Sequence, residues 1–377
     1  MNRILLATFA AFVSLFLSCS SGTFKQDIKV SGSATGFLEK VDSIVTNKMN
    51  QYNIPGLAIG IVRNDSIILA KCYGVKNIEN NKPVTENSIF HTASISKLFT
   101  AEAVMQLVAQ KVITLDDTLI DLVPELNYSD KRVEDITVKN LLNHTSGLPD
   151  IRNYHWNNNN QLDDSLKDFI LGLDLKLDTD PNAEYQYSNL AYDILGYVIE
   201  KVSNTTFDDF LKENVLNKSG MYTSDFRYFK IPDSLKTAPH TKSWITKNVQ
   251  LRDTYPYTRE HAPSSTLNSS AKELNSWMLT FLKKIDSPDS QNVFNEMLSP
   301  SIENQHHIGL GFQLYTFETT KAVGHYGGDK GFRSFLMMIP DEKIGLILLG
   351  NCDYEEDYRQ EIIFPIAKLM LTKNKHH

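Results

Sequence analysis

Apolar positions along this chain fall into two periods, and the change between them predicts the elements. From Phe37 to Asn53 the spacing is helical. Two strand-like runs follow, Gly56–Val62 and Ser66–Cys72, and the polar Arg63-Asn64-Asp65 between them predicts a hairpin. Helical periodicity then governs Ser96–Val112, Thr137–Asn143, Leu166–Leu173, Leu190–Val202, Phe207–Val215 and Ala271–Lys284. Strand patterns return in Gly309–Thr316, Lys321–His325, Phe332–Met338 and Ile344–Gly350, and a last helix covers about Asp357–Leu371. Strands at both ends thus enclose a long helical middle. The pattern predicts an α/β protein of the α+β kind: one mainly antiparallel sheet built from both ends and flanked by helices, with an inserted, mostly helical subdomain over about residues 100–285. Trp156–Gln161 reads as a polar surface loop.

The first residues follow neither period. Arg3 precedes an apolar run from Ile4 to Leu17, too short to span a bilayer comfortably and shaped like the core of a signal peptide, here residues 1–18. The run ends in Phe16-Leu17-Ser18-Cys19, which resembles the bacterial lipobox with Phe16 where leucine is usual. That resemblance implies a lipid-modified Cys19, a Ser/Gly/Thr-rich tether over residues 19–36, a folded domain over 37–372, and a periplasm-facing lipoprotein anchored in the bacterial cell envelope. The alternative is a plain secretory signal cleaved nearby.

Composition adds mainly exclusions. With 41% hydrophobic and 22% charged residues, the 377-residue chain is an ordinary globular protein. Its net charge of −7, without a Lys/Arg run, argues against nucleic acid as a partner. Nothing in the chain calls for a protein partner. Cys72 and Cys352 read as isolated buried thiols, and the doublets His306-His307 and His376-His377 lack a third ligand, so neither a metal nor another cofactor is expected.

The chemistry rests on short motifs. Ser94-Ile95-Ser96-Lys97 opens a helix and places a hydroxyl and an amine one turn apart, roughly 5–6 Å between Cβ atoms. A neutral amine at that position can take the hydroxyl proton. The spacing recurs at Ser269-Ser270-Ala271-Lys272, but there Ser270 with Glu273 reads as a capping box at a helix start. At the first copy a lysine in the first turn opposes the helix dipole, as expected where function overrides propensity.

Two further motifs admit a structural and a functional reading each. Tyr187-Ser188-Asn189 precedes an amphipathic helix, and in the structural reading Ser188 or Asn189 is simply its cap. Alternatively Tyr187 is a phenol near the nucleophile, its pKa lowered by a neighbouring ammonium, beside an amide that contacts substrate or lysine. Gly324-His325-Tyr326-Gly327-Gly328 is either a strand ending in a glycine turn or an edge strand that holds substrate and supplies an oxyanion N–H.

Taken in order, Ser94-x-x-Lys97, Tyr187-x-Asn189 and His325-x-Gly327 resemble the three motifs of the penicillin-recognising serine hydrolases, particularly the branch of class C β-lactamases, D,D-peptidases and esterases. Leu141–Pro149 is similar to that branch's signature loop, as are Gly56-Leu57-Ala58 and Gly309–Phe312, and the resemblance covers about residues 37–370. It implies a serine hydrolase acting on an amide or ester (a β-lactam, a D-amino-acid peptide or a small ester) through an acyl-Ser94 intermediate. Lys97 and Tyr187 would share the general-base work, the N–H groups of Ser94 and Gly328 would hold the oxyanion, and Asn189, His325 and Gly327 would contact substrate. The second motif departs from the class A set, which has Ser-Asp-Asn there. The third begins with His325, where antibiotic-hydrolysing members usually carry lysine. A mostly neutral histidine weakens carboxylate recognition and hence β-lactam hydrolysis. Ser264-Ser265 stands where the family has a small or glycine-rich loop, with no effect predicted. A non-catalytic ligand-binding or sensor lipoprotein with the same fold is the competing reading.

Overall fold

The computed structural model describes residues 34–287, 293–302, 307–355 and 358–372. The predicted signal peptide, Cys19 and most of the tether lie outside the described residues, as do His306 and His376-His377. The chain divides into two compact units, residues 1–40 and 41–377. Of the first, only the opening of the helix Ala34–Tyr52 is described, and the following concerns the second.

Seven strands form one antiparallel sheet in the spatial order Lys82–Pro83, Ser66–Asn77, Gly56–Arg63, Ile344–Gly350, Phe332–Ile339, Thr320–Asp329, Gln313–Phe317. The two ends of the chain meet at its centre, where Leu57 lies opposite Gly350 and Arg63 opposite Ile344. Ile344–Gly350 is buried throughout, and so is Gly56–Arg63 up to its last residue. Such continuous apolar runs demand cover on both faces, and helices supply it. A Cβ on Gly345 would sit 2.8 Å from Met278 of the helix Ala271–Ile285, and one on Gly350 would sit 2.3 Å from Tyr358 of the helix Tyr358–Thr372. Residues 345 and 350 differ in parity, so the two helices cover opposite faces.

The predicted elements recur with small shifts that have local causes. The strand expected from Gly309 begins at Gln313, because Gly309–Phe312 closes a turn, with Gly309 N donating to Phe312 O (2.9 Å) and Gly311 at φ +85°. The strand expected to stop at His325 runs on through the glycines to Asp329. Phe207–Leu211 is α-helical but passes into a π turn over Lys212–Leu216. Four short strands carry too little pattern to be read: Phe90–His91 pairs with Asn268–Ser269, and His240–Lys242 with Val249–Leu251. Cys72 and Cys352 are free, as expected.

The second S-x-x-K is a helix start, though not the reciprocal box expected. Ser270 Oγ accepts from Glu273 N (3.2 Å), but the Glu273 carboxylate turns away to accept from the backbone N–H groups of Thr223 and Ser224 (2.9 and 2.8 Å). It ties two segments together instead of closing its own cap.

At the centre of the helical part, Ser96–Ala109 is buried along nearly its whole length, including Lys97 and Glu102. Glu102 accepts from the indole N–H of Trp277 (2.6 Å) and from the Lys284 ammonium. This couples the central helix to the one that covers the sheet. Replacing Glu102 with alanine strands the buried indole N–H and removes an ion pair, so it is expected to cost about 3 kcal/mol, read as a lowered midpoint in urea unfolding.

Candidate active site

Ser94 sits in a 3-10 turn, Ala93–Ile95, at the entry to the central helix, whose N-cap has no side-chain hydrogen bond. Ala93 takes φ +50°, a left-handed conformation that a residue with a Cβ rarely adopts. The surroundings enforce it. Thr92 N and Oγ1 both donate to Leu267 O (2.9 Å each), Ser334 Oγ donates to Thr92 O (2.7 Å) and Ser96 Oγ to Ala93 O (2.7 Å). Gly327 lies directly against this turn: a Cβ there would stand 2.3 Å from Thr92 O and 2.1 Å from Ser334 Oγ. The first glycine of the third motif is therefore a packing requirement that lets the strand approach the turn that carries Ser94.

The three motifs converge. Lys97 Nζ lies 3.2 Å from Ser94 Oγ and donates to Asn189 Oδ1 (2.5 Å) and Ser264 O (2.7 Å). The Tyr187 phenol donates to the same Ser94 Oγ at 3.0 Å. His325 is buried, with its ring centroid 6.3 Å from that of Tyr187. Gly328, beside buried Gly327, is exposed. Beyond Gly324, which pairs with Gln313, the segment from His325 to Asp329 is flanked by the sheet only on its Phe332–Ile339 side. It is thus a free edge, although the strand that carries it lies inside the sheet.

Burial sets the electrostatics. It pushes the Lys97 amine down from 10.5 to about 7, against the pull of the carboxylates of Asp193, Asp150 and Asp329. Burial drives Tyr187 the other way, well above 10, with the Ser94 hydrogen bond only partly offsetting it. The expectation of a phenol acidified by its lysine is therefore corrected: burial raises the phenol, Tyr185, Asp150 and Asp329 push the same way, and Tyr187 is a proton donor. His325 is pushed down to about 3 by burial and by Lys97. Its Nδ1 faces Tyr326 O at 2.6 Å and carries the proton, leaving Nε2 as an acceptor.

Several supporting residues escaped the sequence reading. His144, in the signature loop, takes φ +61°, accepts from Ser188 N through Nδ1 (3.2 Å) and packs its ring on Tyr187, centroids 4.5 Å apart. Its pKa lies well below 6.5 through burial and the positive neighbours, so a neutral imidazole backs the phenol. Asp150 accepts from Asn189 N (2.8 Å) and Nδ2 (3.0 Å), which leaves the Asn189 oxygen aimed at Lys97. Asp193, buried, accepts from Ser264 N (3.2 Å) and pairs with His261 (2.7 Å), fixing the turn whose carbonyl meets Lys97. Ser265 Oγ donates to Asp329 Oδ2 (2.5 Å), which also meets His91 Nε2 (2.9 Å). So the serine pair with no predicted effect holds the lysine and the end of the strand Thr320–Asp329. Ser188, not Asn189, is the helix cap: its Oγ accepts from Ala191 N (3.1 Å), which frees the Asn189 side chain for the site. The signature-loop resemblance marked the stretch that holds His144 without giving it a role, and the order of residues gave no hint of Asp150 or Asp193, because nothing in their spacing differs from ordinary loop and helix polarity.

The beta-lactamase family model matches residues 41–369. The chain belongs to the beta-lactamase family. Among curated relatives, Protein flp of Staphylococcus aureus (strain MW2) is 26% identical over 323 residues, covering 84% of this chain and 64% of that protein. The chain thus spans somewhat under two thirds of that relative's length. Penicillin-binding protein 4* of Bacillus subtilis (strain 168) is 24% identical over 330 residues, 83% of this chain and 71% of that protein. Among solved structures, the octameric penicillin-binding protein homologue from Pyrococcus abyssi superposes with a TM-score of 0.78 at 25% identity, over 89% of this chain and 77% of that one. A class C beta-lactamase gives 0.73 at 18% identity, over 89% and 97%, a likeness of fold. Both carry the architecture read from the sequence.

Lysines labelled with 13C at Cε should show one resonance that titrates near pH 7, and it should vanish in Lys97→Arg. A spectrum in which every lysine titrates above pH 9.5 refutes the buried neutral amine.

Proposed function

We propose that this protein is a serine hydrolase that cleaves an amide or ester through acyl-Ser94. One observation carries the reading: a single half-buried hydroxyl accepts from a phenol whose proton is held and also meets an amine that burial has made a base at neutral pH. A neutral Lys97 donates two N–H bonds, to Asn189 Oδ1 and Ser264 O, so its lone pair is left for Ser94.

The steps follow from those positions. Lys97 takes the Ser94 proton as Oγ bonds to the substrate carbonyl carbon. The resulting oxyanion is held by the N–H groups of Ser94 and Gly328. As the tetrahedral species collapses, the amine or alcohol departs with a proton delivered from Lys97 through Tyr187. Water then adds to the acyl-Ser94 ester, its proton returning by the same groups, and the acid is released with Ser94 restored. Asn189 orients the lysine and contacts substrate, and His325 and Gly327 line the substrate edge. His325 offers an uncharged acceptor where a fixed cation would hold a carboxylate, so small esters fit this site better than β-lactams. The lipobox-like Ser18-Cys19 supports placing this activity at a membrane surface, anchored through the lipid on Cys19.

A fluorophosphonate probe should label Ser94, and Ser94→Ala should abolish labelling. A folded protein that no serine-directed probe labels refutes the reading. For p-nitrophenyl acetate, kcat/KM should rise with pH through about 7 as Lys97 loses its proton, then stay flat past pH 9 because Tyr187 keeps its own. Lys97→Ala should lower it by about 10³-fold. Nitrocefin turnover should be feeble, and hydrolysis at the rate of a resistance enzyme would contradict the role given to His325.

A further inference from the structure

A cavity of about 380 Å³ opens between the segment Arg152–Asn158 and Lys330, a size within the range of small-molecule sites. Two stretches of its lining are continuous along the chain with residues of the site. Arg152 lies two residues after Asp150, the carboxylate that holds Asn189, and Lys330 lies two residues after Gly328 at the end of the free strand edge. From its wall, Tyr154 packs edge-on against His261 (4.8 Å), which pairs with Asp193, which holds the Ser264 turn that meets Lys97.

The charge of this cavity runs against that of the chain. Arg152 and Lys330 are both exposed, and neither has an ion-pair partner among the described residues. Lys330 rests over the ring of Trp156 (4.8 Å), itself stacked on Tyr154 (5.1 Å). The carboxylates of Asp150 and Asp329 hydrogen-bond to Asn189 and to Ser265 and His91 and form no ion pair with either cation, but their negative charge reaches the wall, where it helps to raise the Tyr154 phenol. Two cations without an ion-pair partner among the described residues, beside an aromatic floor, offer a binding surface for an anion with an apolar stem, in competition with the carboxylates behind Tyr154.

We infer that this cavity is a specificity subsite in which Arg152 and Lys330 hold a carboxylate carried by the substrate at a distance from the bond cleaved. It supplies, from the loop and the strand end, the positive charge that His325 does not. As a statement about substrates it rests on the hydrolase reading. As a statement about binding it stands alone.

Two ester series test it, one of p-nitrophenyl monoesters of dicarboxylic acids with four to eight carbons, the other of acetylated hydroxy acids with the carboxylate on the leaving group. Each is compared with its methyl-ester counterpart. In at least one series the free carboxylate should be preferred about tenfold in kcat/KM, mainly through KM. The preference should fall to about one in Arg152→Ala/Lys330→Ala and at high salt, since both cations are exposed. Equal ratios in wild type and variant, in both series, overturn the subsite while leaving the hydrolase intact. If no ester is turned over, calorimetric titration of adipate into the wild-type chain still decides. Binding weakened about tenfold by the double variant supports the subsite, and binding that is absent or insensitive to the variant overturns it.

Discussion

Withdrawal of the Lys97 amine from water is the constraint on which the site depends. An ammonium taken fully out of solvent is costly, and the protein meets that cost with three acceptors: Asn189 Oδ1, Ser264 O and Ser94 Oγ. Each acceptor is held in turn by a different part of the chain. Asp150 orients the amide, Asp193 the carbonyl turn, and the pinned Thr92-Ala93 backbone the hydroxyl. The same burial that demands those partners lowers the amine's proton affinity to the range where it can accept from serine.

That constraint explains where the molecule is rigid. Ala93 holds a strained backbone conformation, Gly327 has no room for a methyl group, and His144 packs behind Tyr187 in an αL turn of its own. Each is a departure from local preference at a point where three separate segments must meet within hydrogen-bond reach. Away from the site the rules are ordinary, with apolar strands covered on both faces and helices capped by Ser188 and Ser270.

Desolvation also divides the labour between two groups that the motif treats as alike. Lys97 and Tyr187 stand at similar distances from Ser94, yet burial moves their proton affinities in opposite directions, because it disfavours a cation in one and an anion in the other. The result is a base and an acid on one oxygen. His325 follows the same rule: a ring forced neutral by burial can accept a hydrogen bond but cannot anchor an anion by charge.

The sheet built from both ends, the helical middle and the three motifs were legible in the chain, since period and short spacing are local properties. Gly56–Val62 and Ile344–Gly350 announce themselves as apolar runs, and Ser94-x-x-Lys97 as one helical turn. Short pieces such as Phe90–His91 carried no period to read, and the Glu273 carboxylate looked like half of a cap until its partners at Thr223 and Ser224 were visible. What only the tertiary structure decided is which groups share an environment. Asp150 and Asp193 are remote from Ser94 in sequence and unremarkable there, His144 and Ser264 stood out only as parts of family-like loops with no role assigned, and the direction of Tyr187's shift depends on how much water the packed loops exclude. Sequence determines which chemical groups exist and at what local spacing. Proton affinity depends on burial and on through-space neighbours, and those exist only once the chain has closed around Lys97.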